Sequence, residues 1–134
     1  MSLRTALIVI AVAVISQTAY GKKFPLTAAS VVPGAQGKIE TGRDSNGNTK
    51  LKLEAEHLAD PGKLTPPRTA YLVWFQEKGN DASLQGQLRI DKNLKGTFQT
   101  TSPLKNFDVF VTAESDSSVK QPGGTEVLRA TVQQ

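Results

Sequence analysis

The single histidine of the chain, His57, sits in "LEAEHLAD" with Glu54, Glu56 and Asp60 close by in sequence. Imidazole and carboxylate together form a donor set that divalent metals accept. On a strand, however, successive side chains alternate between faces, so His57 points away from Glu54 and Glu56. A metal would then need ligands from elsewhere in the chain. The simpler expectation is a half-buried, hydrogen-bonded histidine at a strand end. A small-ligand or metal-binding module using His57 and the nearby carboxylates is the alternative function.

Other arrangements fail on spacing. "DSNGN", residues 44–48, superficially resembles a calcium loop. Gly47 comes too early for that pattern and the distant bidentate glutamate is missing, so a hairpin turn is expected. No G-x-S-x-G motif accompanies His57, which leaves a hydroxyl nucleophile without its usual setting. Glu40, Glu54, Glu56 and Asp91 fall at outward or turn positions, which suits solvation rather than paired acid–base catalysis; Glu114 is the exception. "PGG" at 122–124 lacks the lysine and helix of a phosphate loop. The absence of cysteine excludes thiol nucleophiles, thiolate metal sites and disulfides. No catalytic residue, metal or cofactor is assigned.

The elements that would hold these residues alternate with period two between turn clusters, and beyond residue 24 no helical period lasts longer than a turn. Expected strands lie at 29–33, 36–43, 49–58, 69–76, 83–90, 94–101, 106–113 and 125–132. Asn46-Gly47 is a strong type I′ hairpin signal. In 49–58, Leu51, Leu53, Ala55 and His57 oppose Lys50, Lys52, Glu54 and Glu56. Leu84, Leu88 and Ile90 share a face in 83–90. Leu94, Gly96 and Phe98 share one in 94–101, and Phe107, Val109, Val111 and Ala113 share one in 106–113. "ADPGKLTPP" is a loop, because three prolines cannot sit in a paired strand. About seven or eight strands at this spacing imply an all-β fold, an immunoglobulin-like antiparallel β-sandwich.

One strand has no polar side. In "TAYLVWFQEKGN", Ala70, Leu72 and the only tryptophan, Trp74, share one face, while Tyr71, Val73 and Phe75 share the other. A sandwich strand normally buries one face, so the second needs a cover or a partner. Trp74 is expected inside. Tyr71, Val73 and Phe75 are the candidate binding patch, with loops 59–68 and 114–124 as the possible intramolecular cover.

The N-terminus places Arg4 before the apolar run Ala6 to Ile15 and the small-residue step Ala19-Tyr20-Gly21. The run suits a signal helix and falls short of the roughly 20 residues of a spanning helix. Cleavage after Gly21 is expected, with an uncleaved anchor as the alternative, because Lys22 and Lys23 follow directly. The division is then a signal peptide over 1–21, a flexible lead over 22–28 and the sandwich over 29–134. The destination is secreted or periplasmic. The net charge of +4 is spread among interleaved acids, unlike a nucleic-acid face.

The succession "HL…P…YLVWFQEKG…LQGQL…LKGTF…FDVFVTAE…PGG…VL" resembles the extracytoplasmic C-terminal domain of anti-sigma-K-factor-like proteins. The matching positions are Leu58, Tyr71, Trp74, Gly86, Leu88, Val109, Val111, Thr112, Glu114, Pro122 and Gly124, spread over roughly 36–132. The resemblance implies a non-catalytic β-sandwich outside the membrane with a sensing or interaction role. Anti-sigma activity is not carried over, because a signal segment stands where the sigma-binding domain and membrane helix would be. Thr112 and Glu114 of "VTAE" read as structural. The expected function is a non-enzymatic interaction or sensing module of the bacterial cell envelope. Its expected partner is an envelope protein or polysaccharide.

Overall fold

Period-two alternation becomes nine β-strands in the computed structural model, which describes residues 20–134. They are β1 (Lys22–Pro25), β2 (Thr27–Ala28), β3 (Gln36–Arg43), β4 (Thr49–Glu56), β5 (Ala70–Gln76), β6 (Ser83–Leu88), β7 (Gly96–Ser102), β8 (Asn106–Glu114) and β9 (Thr125–Gln133). Among the described residues there is no α-helix, only a 3₁₀ turn at Pro61–Lys63. The strands form two antiparallel sheets, β1-β3-β4-β7 and β2-β9-β8-β5-β6. The expected signal segment lies almost wholly outside the described residues.

The facing sides of the two sheets enclose the main core. Ile39, Leu51, Leu53 and Ala55 from one sheet meet Val109, Val111, Leu128 and Val132 from the other. β4 shows how the sequence achieves this. Thr49, Leu51, Leu53 and Ala55 are buried, while Lys50, Lys52 and Glu54 lie outward. On that wet side Lys52 pairs with Glu54 (2.9 Å), and Lys38 pairs with Glu40 (3.1 Å) and Glu54 (3.6 Å). Such exposed pairs add little stability but keep this face solvated.

Several expectations are corrected. The sandwich begins at Lys22 rather than residue 29. The segment expected as a flexible lead supplies an edge strand to each sheet, β1 on β3 and β2 on β9. Residues 29–33 are not a strand: Val32 N–H bonds to Ala29 O (3.0 Å) and Ala35 N–H to Val32 O (2.9 Å), two successive turns. The β3–β4 hairpin is not a two-residue type I′ turn. Only Gly47 takes positive φ, +78°, while Asp44 O accepts from Gly47 N–H (3.1 Å). This is a three-residue loop of a type I turn followed by a left-handed glycine. "DKNLK" repeats the design at 91–95, with Leu94 at φ +61° where a glycine would be easiest. Asp44 and Asp91 hold the two turns by accepting backbone N–H bonds from residues two and four ahead.

Candidate functional site

The apolar strand β5 is the natural place to look for a site, and the structure reverses its two faces. The sequence pattern puts Tyr71, Val73 and Phe75 on a contact patch. In the fold they are 0%, 0% and 1% exposed and sit in the core between the sheets. The cause lies in β8. Directly opposed residues of an antiparallel pair share a face. Tyr71, Val73 and Phe75 oppose Ala113, Val111 and Val109, the apolar side of β8. Phe75 also packs against Phe107, with ring centres 4.7 Å apart. These three side chains are therefore core and offer no surface to a partner.

Trp74, Ala70 and Leu72 instead face outward from the five-stranded sheet, yet they too are buried. Phe110 of β8 and Ala82 of the chain entering β6 close over them, with Val119 packed against the cluster. The Trp74 and Phe110 rings stack 6.4 Å apart, and the Arg129 guanidinium lies 4.5 Å over Phe110. The cover comes from within the chain, in part from Val119 of loop 114–124, a loop expected to cover the opposite face at Tyr71, Val73 and Phe75.

Beneath that loop runs a buried polar chain. Trp74 Nε1–H donates to Thr112 Oγ1 (2.8 Å), which donates to Glu114 Oε2 (2.5 Å). Glu114 is 3% exposed, and Gly123 N–H reaches the same oxygen at 3.4 Å. An indole N–H and a hydroxyl need partners when buried, and this chain satisfies both. Gly124 allows the closure, because a Cβ there would stand 1.9 Å from Ala113 O. The chain braces the sheet from within, with Thr112 2% and Glu114 3% exposed.

The open part of this face lies at its other end. The β5–β6 turn and the ends of β8 and β9 border a cleft of about 530 Å³, lined by Gln76, Lys78, Asn106, Asp108, Thr131 and Gln133. Its polar groups are partly held in place. Thr131 Oγ1 donates to Asp108 Oδ1 (2.9 Å), and Arg129 pairs with Asp108 (2.7 Å) and Glu126 (2.6 Å). Those carboxylates raise the Arg129 pKa, Glu126 first. Gln76 Nε2 bonds to Asn80 O (3.0 Å). Carboxamides and hydroxyls both donate and accept hydrogen bonds, so the cleft suits a polar ligand. Sequence reasoning missed it. Each of these residues sits at an outward strand position or, for Lys78, in the β5–β6 turn, and reads as ordinary solvated surface. The clustering of three carboxamides, Gln76, Asn106 and Gln133, appears only once the register is known.

His57 differs from expectation as well. It is exposed rather than half-buried, its φ is +55°, and Leu58 takes the inward place. Glu56 lies 3.9 Å from Lys95 Nζ. The Lys52 ammonium holds the Glu54 carboxyl below the usual range, chiefly through their hydrogen bond. Among the described residues no group of three His, Asp or Glu side chains gathers closely enough to hold a metal, so His57 and its sequence neighbours do not converge. Among those residues, too, no helix is long and apolar enough to cross a membrane.

Comparison with known proteins adds no family: no family model matches the chain, and no curated protein matches it either.

Proposed function

We propose that the protein is a secreted or periplasmic, non-catalytic interaction or sensing module of the bacterial cell envelope, acting through the polar cleft of the five-stranded sheet. The observation that carries this is the cleft itself. There Gln76, Asn106, Asp108, Thr131 and Gln133 line a concave opening on a well-braced sheet. Its carboxamides suit an envelope polysaccharide or the polar surface of an envelope protein, both rich in groups that donate and accept hydrogen bonds. The signal-like N-terminus supports an extracytoplasmic address. Two antiparallel sheets joined by crossing connections support an immunoglobulin-like assignment. The convergence of Trp74, Thr112, Glu114 and Gly124 in one brace supports the likeness to anti-sigma-K-factor-like extracytoplasmic domains, as a likeness of framework and without sigma-factor binding.

Retention of the purified protein on isolated cell-wall polysaccharide and on immobilised envelope protein tests this reading. The double variant Asn106→Ala, Gln133→Ala is expected to lose about tenfold in affinity, equivalent to roughly 1.4 kcal/mol, with its unfolding midpoint unchanged. Equal retention of wild type and variant, or retention on neither material, contradicts the proposal.

A further inference from the structure

Among the described residues, three of the four sheet edges carry a barrier to further pairing. β1 presents Lys22, Lys23 and Pro25. β2 is two residues long, and β1 passes the end of β9, where Lys22 Nζ reaches Gln133 O (3.5 Å). β6 is bulged against β5, with a register shift at Val73/Trp74. Charge, proline, brevity and bulges are the usual devices that keep an edge strand from adding another strand.

β7 has none of them. "GTFQTTS" contains no charge and no proline, runs seven residues, and pairs with β4 in unbroken register from Gly96 to Ser102. Its other side carries the bridge from Ile90 to Gly96 at its start, and Gly86 of β6 lies close against the Phe98 ring. The direction of its backbone groups follows from two bonds. Asp91 N–H donates to Lys95 O (2.8 Å) on the free side. Alternation then turns the N–H and C=O of Thr97, Gln99 and Thr101 toward that side. The Asp44 N–H bond to Asn48 O (3.0 Å) gives the same parity when carried across β4. Thr97, Gln99 and Thr101 also have exposed side chains.

We infer that β7 pairs antiparallel with β7 of a second copy of this chain, joining two four-stranded sheets into one of eight across a two-fold axis. The second copy is the occupant that fits. An antiparallel pair of identical strands is self-complementary, and here no like charges meet. The one unguarded edge among the described strands closes on itself in a dimer. Half-buried Phe98, on the inner side of the edge, gains cover from the partner strand. This contact is separate from the polar cleft and stands or falls without it.

Sedimentation velocity over a concentration series, with amide hydrogen exchange on the same samples, tests the pairing in the full chain. The expected result is a monomer–dimer equilibrium in which the Gln99 and Thr101 amides gain protection as concentration rises. The Thr100 amide, bonded to β4, stays protected throughout. Gln99→Lys sets like charges near the axis and should raise the dimer dissociation constant about tenfold. Thr101→Pro removes a free-side N–H, which an edge strand tolerates, and should abolish the dimer. If Thr101→Pro does not fold, Gln99→Lys alone decides. A monomer at every concentration, or an oligomer unchanged by Gln99→Lys with rapid exchange at Gln99 and Thr101, overturns the inference.

Discussion

Tyr71 shows how one side chain can serve both the core and a loop. Its ring is buried between the sheets, while its hydroxyl donates to Ala59 O (2.5 Å) and ties the proline-rich loop to the start of β5. Burial, and then the negative charge of Asp60, push the phenol up to about 12. Below pH 10 the phenol is neutral in both folded and unfolded chains, and its contribution is intact. Between about pH 10 and 12 the unfolded chain gives up the proton first, so stability falls as pH rises. Tyr71→Phe should cost about 1–2 kcal/mol at neutral pH, because Ala59 O loses its donor. It should also show a shallower alkaline decline than wild type. Urea unfolding at pH 8 and pH 11 checks both. His57 teaches a different lesson at this scale. Strand alternation placed it inward, but a single left-handed residue at the strand end turned it out and put Leu58 in its place. Nothing in "EHLAD" demands positive φ, so that outcome was not legible.

Among the elements, the strands were largely legible and their faces only partly. β3 matches its expected limits, and β4 and β8 carry clean alternation that the fold obeys. β6 and β9 do not, because bulges change parity partway along. Leu84 was paired with Leu88 by alternation, but the bulge beside Trp74 leaves Leu84 39% exposed while Leu88 is buried. In β9 the register shift opposite Val111 and Thr112 leaves the adjacent Val127 and Leu128 both buried. β5 was the hardest, since both its faces are apolar and its own residues cannot say which is inner. Its register with β8 decides, and β8 is the clearer strand: Phe107, Val109, Val111 and Ala113 on one side, Asp108, Phe110, Thr112 and Glu114 on the other. The brace belongs to this scale too. Thr112→Val leaves Trp74 Nε1 and Glu114 Oε2 without their shared hydroxyl and should cost about 2–3 kcal/mol. Thr112→Ser keeps the hydroxyl and should stay within about 1 kcal/mol of wild type. Equal losses in the two variants would show that the methyl, not the hydrogen-bonded chain, matters.

At the scale of the molecule, the sandwich closes its apolar surface from within. The main core fills the space between the sheets, and a second cluster on the outer side of the five-stranded sheet is covered by the chain's own residues. Among the described residues the open surface includes the charged outer face of β3 and β4, the carboxamide cleft, the uncharged edge of β7 and a more apolar groove bordered by Phe24, Ala28, Val127 and Ala130. With Tyr71, Val73 and Phe75 buried, binding is expected through the polar cleft rather than through an aromatic patch. The cleft was illegible beforehand because its parts come from three distant segments whose side chains individually look solvated. The central claim is that β5 is buried on both faces, with Tyr71, Val73 and Phe75 as core. Equilibrium urea unfolding of Phe75→Ala tests it most directly. The expected result is a loss of about 3–5 kcal/mol, the usual cost of truncating a fully packed phenylalanine. A loss under about 1 kcal/mol, with an unchanged dependence on urea, would contradict it and return Phe75 to the surface.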